Sequence, residues 1–381
     1  MTNKYKMKVI VLSPDRTLNP TSGIGASFRE LYKKLKDDVD FYVVGYPDPN
    51  STIKQYRSTK TSFSIQHGGI SGLICHSLYI MEALKFDIIP DIVHAHDWSV
   101  YFAAVELADY FKVPLILTMQ ESSKILMQHD LLMCNDISSV DGSHLQLAHL
   151  TLEQYGLEKA TRIISVSKVF TKLFSEYDHK ITTIPHGVDL SDWSKPDEIK
   201  LPGNRKFKIV YVGRIDLVKG IDAILDAEIP SNVDVIVAGN HSEIKELYRR
   251  TYKKELYTKE GLHYIDRVYG QEYVDLLSAA DAIIMPSRYE PFGIVGMEAL
   301  ASKSIVISSR VDGLAEYLDW NNSIHTEVTP EGIGNAYKKF LIMTDVEKKQ
   351  MIKCGLKTCL DYDWKNIAKM YMKVYKSVIN K

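Results

Sequence analysis

A chain of 381 residues is longer than one hydrophobic core usually serves, so its length predicts two domains. Hydrophobic residues make up 45% and charged residues 25%, the ordinary balance of a soluble globular protein. The net charge of -1 provides no basic field for nucleic acid or an acidic membrane, and no apolar run approaches the ~20 residues that span a bilayer. The first residues, MTNKYKMKVIVLS, are basic and then apolar. The apolar part is too short for a signal peptide and reads as a strand. Further strands are expected at 41–46 (FYVVGY), 91–96 (DIVHAH), 114–119 (PLILTM), 162–167 (RIISVS) and 181–185 (ITTIP). Helix-period segments fall between them at 26–36, 71–85, 98–112 and 145–160. Nearly continuous apolar strands separated by helices point to parallel sheets covered on both faces.

The pattern breaks at 192–206 (DWSKPDEIKLPGNRK), which is polar, holds two prolines and a glycine, and reads as a linker. A second series of strands follows at 208–213, 233–239, 262–265, 282–287 and 304–309. The tail, 345–381, is helical and carries Trp364, Tyr371 and Tyr375. The expected organisation is an α/β protein of two Rossmann-like doubly wound domains, residues 1–191 and 192–360. Residues 361–381 form a helix that returns to the first domain. The four cysteines, Cys75, Cys134, Cys354 and Cys359, fit no metal spacing and read as free thiols, with the cytoplasm as the default compartment. Basic runs such as 248–254 read as solvated helix faces, and peripheral contact with a membrane stays open.

Ligands of open α/β sheets bind outside the carboxyl ends of the strands, so unusual residues there are the candidates. After the first strand, TSGIGASFREL (21–31) places Gly23 and Gly25 at a turn into a helix whose free N–H groups suit an anion. A plain strand-to-helix turn reads equally well. The third glycine of a dinucleotide fingerprint is replaced by Phe28, which sets a nicotinamide dehydrogenase last among the alternatives. HAHDW (94–98) ends a strand with His94 and His96 on one side. His96 reads either as a hydrogen-bond partner of a substrate hydroxyl or as a core histidine beside an Asp97 helix cap, and no third ligand completes a zinc site.

In YVGRIDLVKGIDAIL (211–225), Arg214 and Lys219 flank a strand-to-helix loop that ends at Gly220, a setting for a diphosphate if they are more than surface charges. PSRYEPFGIVGMEAL (286–300) is the most specific stretch. Pro291 biases Glu290 towards an extended backbone, and Gly293 lets a ligand press on the chain. The amides of Gly293, Ile294 and Val295 are free helix-start donors. Glu290, on the loop, and Glu298, about one turn or roughly 6 Å into the helix, flank them. Two carboxylates for hydroxyls around amides for a phosphate make a platform for a sugar nucleotide.

Taken together, these residues resemble the retaining glycosyltransferases of the GT-B fold. More narrowly, the chain resembles glycosyltransferase family 4 (GT4), leaning to glycogen and starch synthases. TSGIG, HAHDW, SVSKVF (165–170), IPHGVD (184–189), GRIDLVKG (213–220) and PSRYEPFGIVGMEALA (286–301) carry the resemblance. It implies two domains facing a central cleft and transfer of a hexose, glucose first, from a UDP, ADP or GDP sugar to a saccharide or lipid-linked hydroxyl, without metal or cofactor. It gives Arg214 and Lys219 the diphosphate, Glu290 the transferred sugar, Glu298 the ribose and His96 the 6-hydroxyl. Gly25 would approach the donor, Phe292 stands within the motif, and Arg267 and Val268 lie where the base is cradled. Acceptor loops fall at 47–70 and 119–143. Two positions depart from the pattern. Met119 and Gln120 stand where many relatives carry histidine, and Thr21 and Ser22 where glycogen synthases carry lysine. Two further readings remain: a sugar-nucleotide 2-epimerase of the same architecture, and a catalytically inactive nucleotide-sugar-binding partner.

Overall fold

The computed structural model describes residues 6–15, 22–46, 53, 55–58, 70–125, 140–239, 249 and 259–379. Side chains of 70–75 and 140–148 are outside that description. Thr21, Cys134 and almost all of the basic run 248–254 lie outside the described residues, as do the side chain of Cys75 and much of both acceptor loops. Cys354 and Cys359 are free thiols.

The chain forms two compact units, residues 1–186 with 364–381, and residues 187–363. The first unit holds strands β1 Met7–Leu12, β2 Val39–Gly45, β3 Tyr56–Ser58, β4 Ile92–His96, β5 Leu115–Met119, β6 Arg162–Ser165 and β7 Ile181–Thr183. They form one parallel sheet in the order β3-β2-β1-β4-β5-β6-β7. Its described helices are α1 Gly23–Leu35, α2 Ile70–Leu84, α3 Tyr101–Phe111, α4 Val140–Lys159, α5 Lys168–Lys172 and, from the chain end, α11 Trp364–Ile379. The segment read as one helix from residue 98 begins as a 3-10 turn, Trp98–Val100, before α3.

The second unit repeats the plan. Strands β8 Phe207–Val212, β9 Val233–Ala238, β10 Leu262–Ile265, β11 Ala282–Met285, β12 Ile305–Ser308 and β13 Ser323–His325 lie parallel in the order β10-β9-β8-β11-β12-β13. Helices α6 Ile221–Asp226, α7 Gln271–Ser278, α8 Ile294–Ala301, α9 Pro330–Ile342 and α10 Asp345–Asp361 complete it among the described residues. In each sheet the order reverses beside its first strand, between β1 and β4 and between β8 and β11. Doubly wound sheets leave room for a ligand at that reversal.

Each unit has its own core. Val9, Val11, Phe28, Leu31, Ile92 and Ile164 are buried with Ile367, Tyr371, Tyr375 and Val378 of α11, so the C-terminal helix belongs to the core of the first unit. Ile209, Val235, Ile284, Ile307, Ile324, Tyr337 and Phe340 form the second core. The tail contains two helices, with the second starting at Trp364 rather than 361, because Tyr362 ends α10 and Asp363 bridges Val188. That bridge, the Val188 N–H bond to the Tyr362 carbonyl, and Trp193 against Tyr273 fold the start of the polar stretch into the second unit.

Candidate active site

In the second unit, β8 is followed by Gly213 and Arg214, and the loop runs to Gly220, which opens α6 at φ +68. A Cβ at Gly220 would lie 1.9 Å from the Pro286 carbonyl oxygen, so this loop presses on the loop after β11 as only glycine allows. The contact sets Lys219 against Glu290, with Nζ 2.6 Å from Oε2 and both side chains largely buried. Ser287 donates to the same oxygen at 3.3 Å. Asp216 holds the other end of the loop, accepting the Lys219 N–H at 2.8 Å and pairing with Arg214 Nε at 3.2 Å.

Arg288 braces the two loops, and residue-by-residue reading of the motif missed it. Its guanidinium grips both oxygens of Asp222 at 2.7 Å, Nη1 donates to the Leu217 carbonyl, and its backbone N–H donates to the Val218 carbonyl at 2.7 Å. Such a planar bidentate pair is the strong, geometrically specific kind. Its only trace in the sequence is an arginine inside the motif and an aspartate two residues past Gly220.

Phe292 is buried against Tyr317, and Gly293 starts α8 at φ +88 with no side-chain cap. Ile294 and Val295 are therefore the first residues of a helix whose leading N–H groups have no intrahelical acceptor. The Tyr317 hydroxyl donates to the Gly293 carbonyl. A Cβ at Gly296 would lie 2.3 Å from that hydroxyl oxygen, so the helix start is packed tightly. Glu298 accepts from the Tyr273 hydroxyl at 2.6 Å and is half-buried. Arg267 and Val268 lie in the loop between β10 and α7, Arg267 exposed and Val268 half-buried.

In the first unit, His94 is a satisfied core histidine. Nδ1 meets the Tyr375 hydroxyl and Nε2 the Thr118 hydroxyl, both at 2.8 Å. His96 differs. Its Nδ1 lies 3.2 Å from Gln120 Nε2, which also donates to Ser27 Oγ at 2.9 Å. With the amide donating to Nδ1, the ring proton sits on Nε2, which is buried and has no acceptor among the described residues. Burial, reinforced by the nearby His186, pushes the His96 pKa down to about 3, so the ring is a neutral donor. Gln120, one of the two departures from the family pattern, is thus the residue that orients His96.

Gly23 and Gly25 stand at the start of α1, where Ser22 caps the helix. Asp15 Oδ2 accepts the Ser22 N–H at 2.9 Å, the Ser22 hydroxyl at 2.8 Å and the Gly25 N–H at 3.3 Å. The Gly25 amide thus donates to a carboxylate of the chain itself. Asp97 has φ +77 and caps the turn at Ser99, as the helix-cap reading has it. Among the described residues, no three His, Cys, Asp or Glu side chains group as metal ligands, and no helix is long and apolar enough to cross a membrane.

Two parallel doubly wound units, with cations and acids gathered at the sheet reversal of the second, leave a ligand site at that reversal. The model for glycosyltransferase family 4 matches residues 21–192, and that for glycosyl transferases group 1 matches 194–355. The chain belongs to the family 4 glycosyltransferases of GT-B fold. Glycogen synthase of Mycobacterium tuberculosis is 27% identical over 300 residues, covering 75% of this chain and 68% of that protein. Sucrose-phosphate synthase from Thermosynechococcus elongatus superposes with a TM-score of 0.79 at 18% identity, over 98% of this chain and 100% of that one. Anabaena HepE in complex with UDP-glucose does so with a TM-score of 0.70 at 16% identity, over 97% and 100%.

Proposed function

We propose that this glycosyltransferase moves a hexose, glucose first, from a nucleoside diphosphate sugar to a saccharide or lipid-linked hydroxyl, with retention and without a metal ion. The observation that carries the reading is Lys219 paired with Glu290 at the β8/β11 reversal, beside the uncapped start of α8. Lys219, Arg214 and the amides of Ile294 and Val295 neutralise the departing diphosphate. Glu290 accepts from hydroxyls of the transferred sugar, and Glu298, oriented by Tyr273, accepts from the ribose. His96 donates from Nε2 to a sugar hydroxyl. The loop at Arg267 and Val268 takes the base. The solved complex of HepE with UDP-glucose and the 27% identity to a glycogen synthase support a glucose donor.

The step demanded is cleavage between the anomeric carbon and the phosphate oxygen. The electron pair leaves with the diphosphate, the acceptor oxygen bonds to the same face of the carbon, and its proton passes to the departing phosphate. The free thiols fit a cytoplasmic location.

A thermal-shift screen against UDP-, ADP- and GDP-glucose, followed by turnover with and without acceptors, tests the reading. One donor should raise the melting temperature and be consumed only when an acceptor is present. Conversion of the donor alone would instead identify an epimerase, and binding without turnover an inactive partner.

A further inference from the structure

The backbone of Glu290 is gripped from both sides by a loop distant in sequence. Its N–H donates to Asp312 Oδ2 at 3.1 Å, and its carbonyl accepts from the Gly313 N–H at 3.0 Å. The rest of the loop is stitched to the same segment. The Ser309 N–H donates to the Met285 carbonyl at 3.3 Å, and the Ser309 hydroxyl to the Ser287 carbonyl at 2.6 Å. A Cβ at Gly313 would lie 2.1 Å from the Pro291 carbonyl oxygen, so the two strands of loop touch backbone to backbone.

Asp312 makes its bond from an unfavourable backbone. Its φ is +44, and Arg310 in the same loop has φ +51. Glycine adopts this region freely, asparagine and aspartate at a modest cost, and larger side chains such as that of Arg310 only where surroundings hold them there. Strain of this kind persists where the structure uses it. The carboxylate that the strain presents fixes the residue whose own carboxylate meets Lys219.

We infer that Asp312 is a positioning residue for Glu290, trading backbone strain for a fixed sugar-binding carboxylate. The inference rests on the reading of Glu290 as the group that holds the transferred sugar. Pro291 already restrains Glu290 on its C-terminal side. Asp312 supplies the restraint on its N–H, leaving the side chain little freedom to swing away from the sugar. The diphosphate contacts are on other residues, so loosening Glu290 should lower sugar transfer without weakening diphosphate binding.

The test compares Asp312→Gly and Asp312→Asn with the parent in the full chain. Three quantities are read: melting temperature, hydrogen exchange at the Glu290 amide, and steady-state kinetics with the donor found by the screen. Asp312→Gly should keep or raise the melting temperature, because the strain is relieved. It should speed exchange at Glu290 and lower kcat about tenfold, the worth of one lost charge-assisted hydrogen bond. Nucleoside diphosphate affinity should not fall below that of the parent, because Lys219 keeps its charge when Glu290 is loosened. Asp312→Asn, which tolerates the backbone and keeps an oxygen acceptor, should restore most of kcat. Parental kcat in Asp312→Gly overturns the inference. So does a fall of kcat and melting temperature together with no rescue by asparagine. A parent that turns over no donor sinks the reading of the site instead. Exchange at the Glu290 amide then decides by itself whether Asp312 holds that residue, unchanged exchange in Asp312→Gly refuting it.

Discussion

Lys219 Nζ and Glu290 Oε2 lie 2.6 Å apart across 71 residues of sequence, each largely shielded from water. Shielded opposite charges hold each other strongly, and removing one leaves the other uncompensated. A diphosphate would compensate Lys219 in the same way as Glu290 does. Glu290→Gln is therefore expected to bind UDP, ADP or GDP several-fold more tightly than the parent. It should transfer sugar at least ~100-fold more slowly, since a preorganised charged contact is lost. Lys219→Ala should lose ~10- to 100-fold in affinity for the same nucleotide. Isothermal titration and turnover read both. Weaker nucleotide binding by Glu290→Gln would show that the pair does not compete with the diphosphate.

Tyr273, half-buried, donates to Glu298 at 2.6 Å, and desolvation, then the nearby carboxylate, hold its hydroxyl well above the usual phenol range. The phenol thus stays protonated and fixes the carboxylate. Glu298→Ala should lower donor affinity about tenfold with the fold retained, and Tyr273→Phe should lower it by a smaller factor. Affinity for inorganic diphosphate, which has no ribose, should not change in either variant. Equal losses for nucleotide and inorganic diphosphate would remove the ribose assignment.

The alternation of apolar strands and helices made both sheets legible, because strands buried on both faces must be nearly continuous in hydrophobic residues. The three-residue edge strands β3 and β13, YRS and SIH, hold no such run and are added only by pairing with β2 and β12. The meeting of Lys219 and Glu290 was legible because glycine and proline spacing marks loops that can pack closely at the ends of strands. Arg288, Asp222 and Asp312 were not, since their partners lie 66 and 22 residues away. Nothing local distinguishes a bracing side chain from a solvated one. The hydrogen bond at Gly25 was illegible for the same reason: Asp15, whose carboxylate accepts the Gly25 N–H, sits outside the glycine pattern.

Gly220 combines φ +68 with a would-be Cβ 1.9 Å from the Pro286 carbonyl oxygen. Gly220→Ala forces the loop after β8 away from the loop after β11, and with it Lys219 from Glu290. A cost of about 2–4 kcal/mol is expected from the backbone conformation and the clash together. Urea unfolding of the two proteins measures it, and nucleotide affinity should fall in parallel. A loss below ~1 kcal/mol would mean that the loops part without resistance.

Asp97 supplies a prediction with a sign that can be worked out. It is buried at the end of β4. Burial, then Glu121, and more weakly Glu153, push its carboxyl up to about 7, against bonds from Ser99 that pull it down. Its Oδ2 has no hydrogen-bond partner among the described residues. The folded chain therefore holds a proton that the unfolded chain has released, in the window between an ordinary carboxyl near 4 and the raised value near 7. Across that window stability must fall as pH rises, and above it the folded state carries a buried charge. Asp97→Asn removes the charge and keeps a side-chain oxygen that can accept from the Ser99 N–H. The difference in unfolding free energy between variant and parent should thus shift towards the variant by a few kcal/mol from pH 4.5 to pH 8, most of it below pH 7. Urea unfolding at pH 4.5, 6 and 8 measures that difference while other titrating groups cancel. A difference that stays constant with pH would show that Asp97 titrates as an ordinary carboxyl.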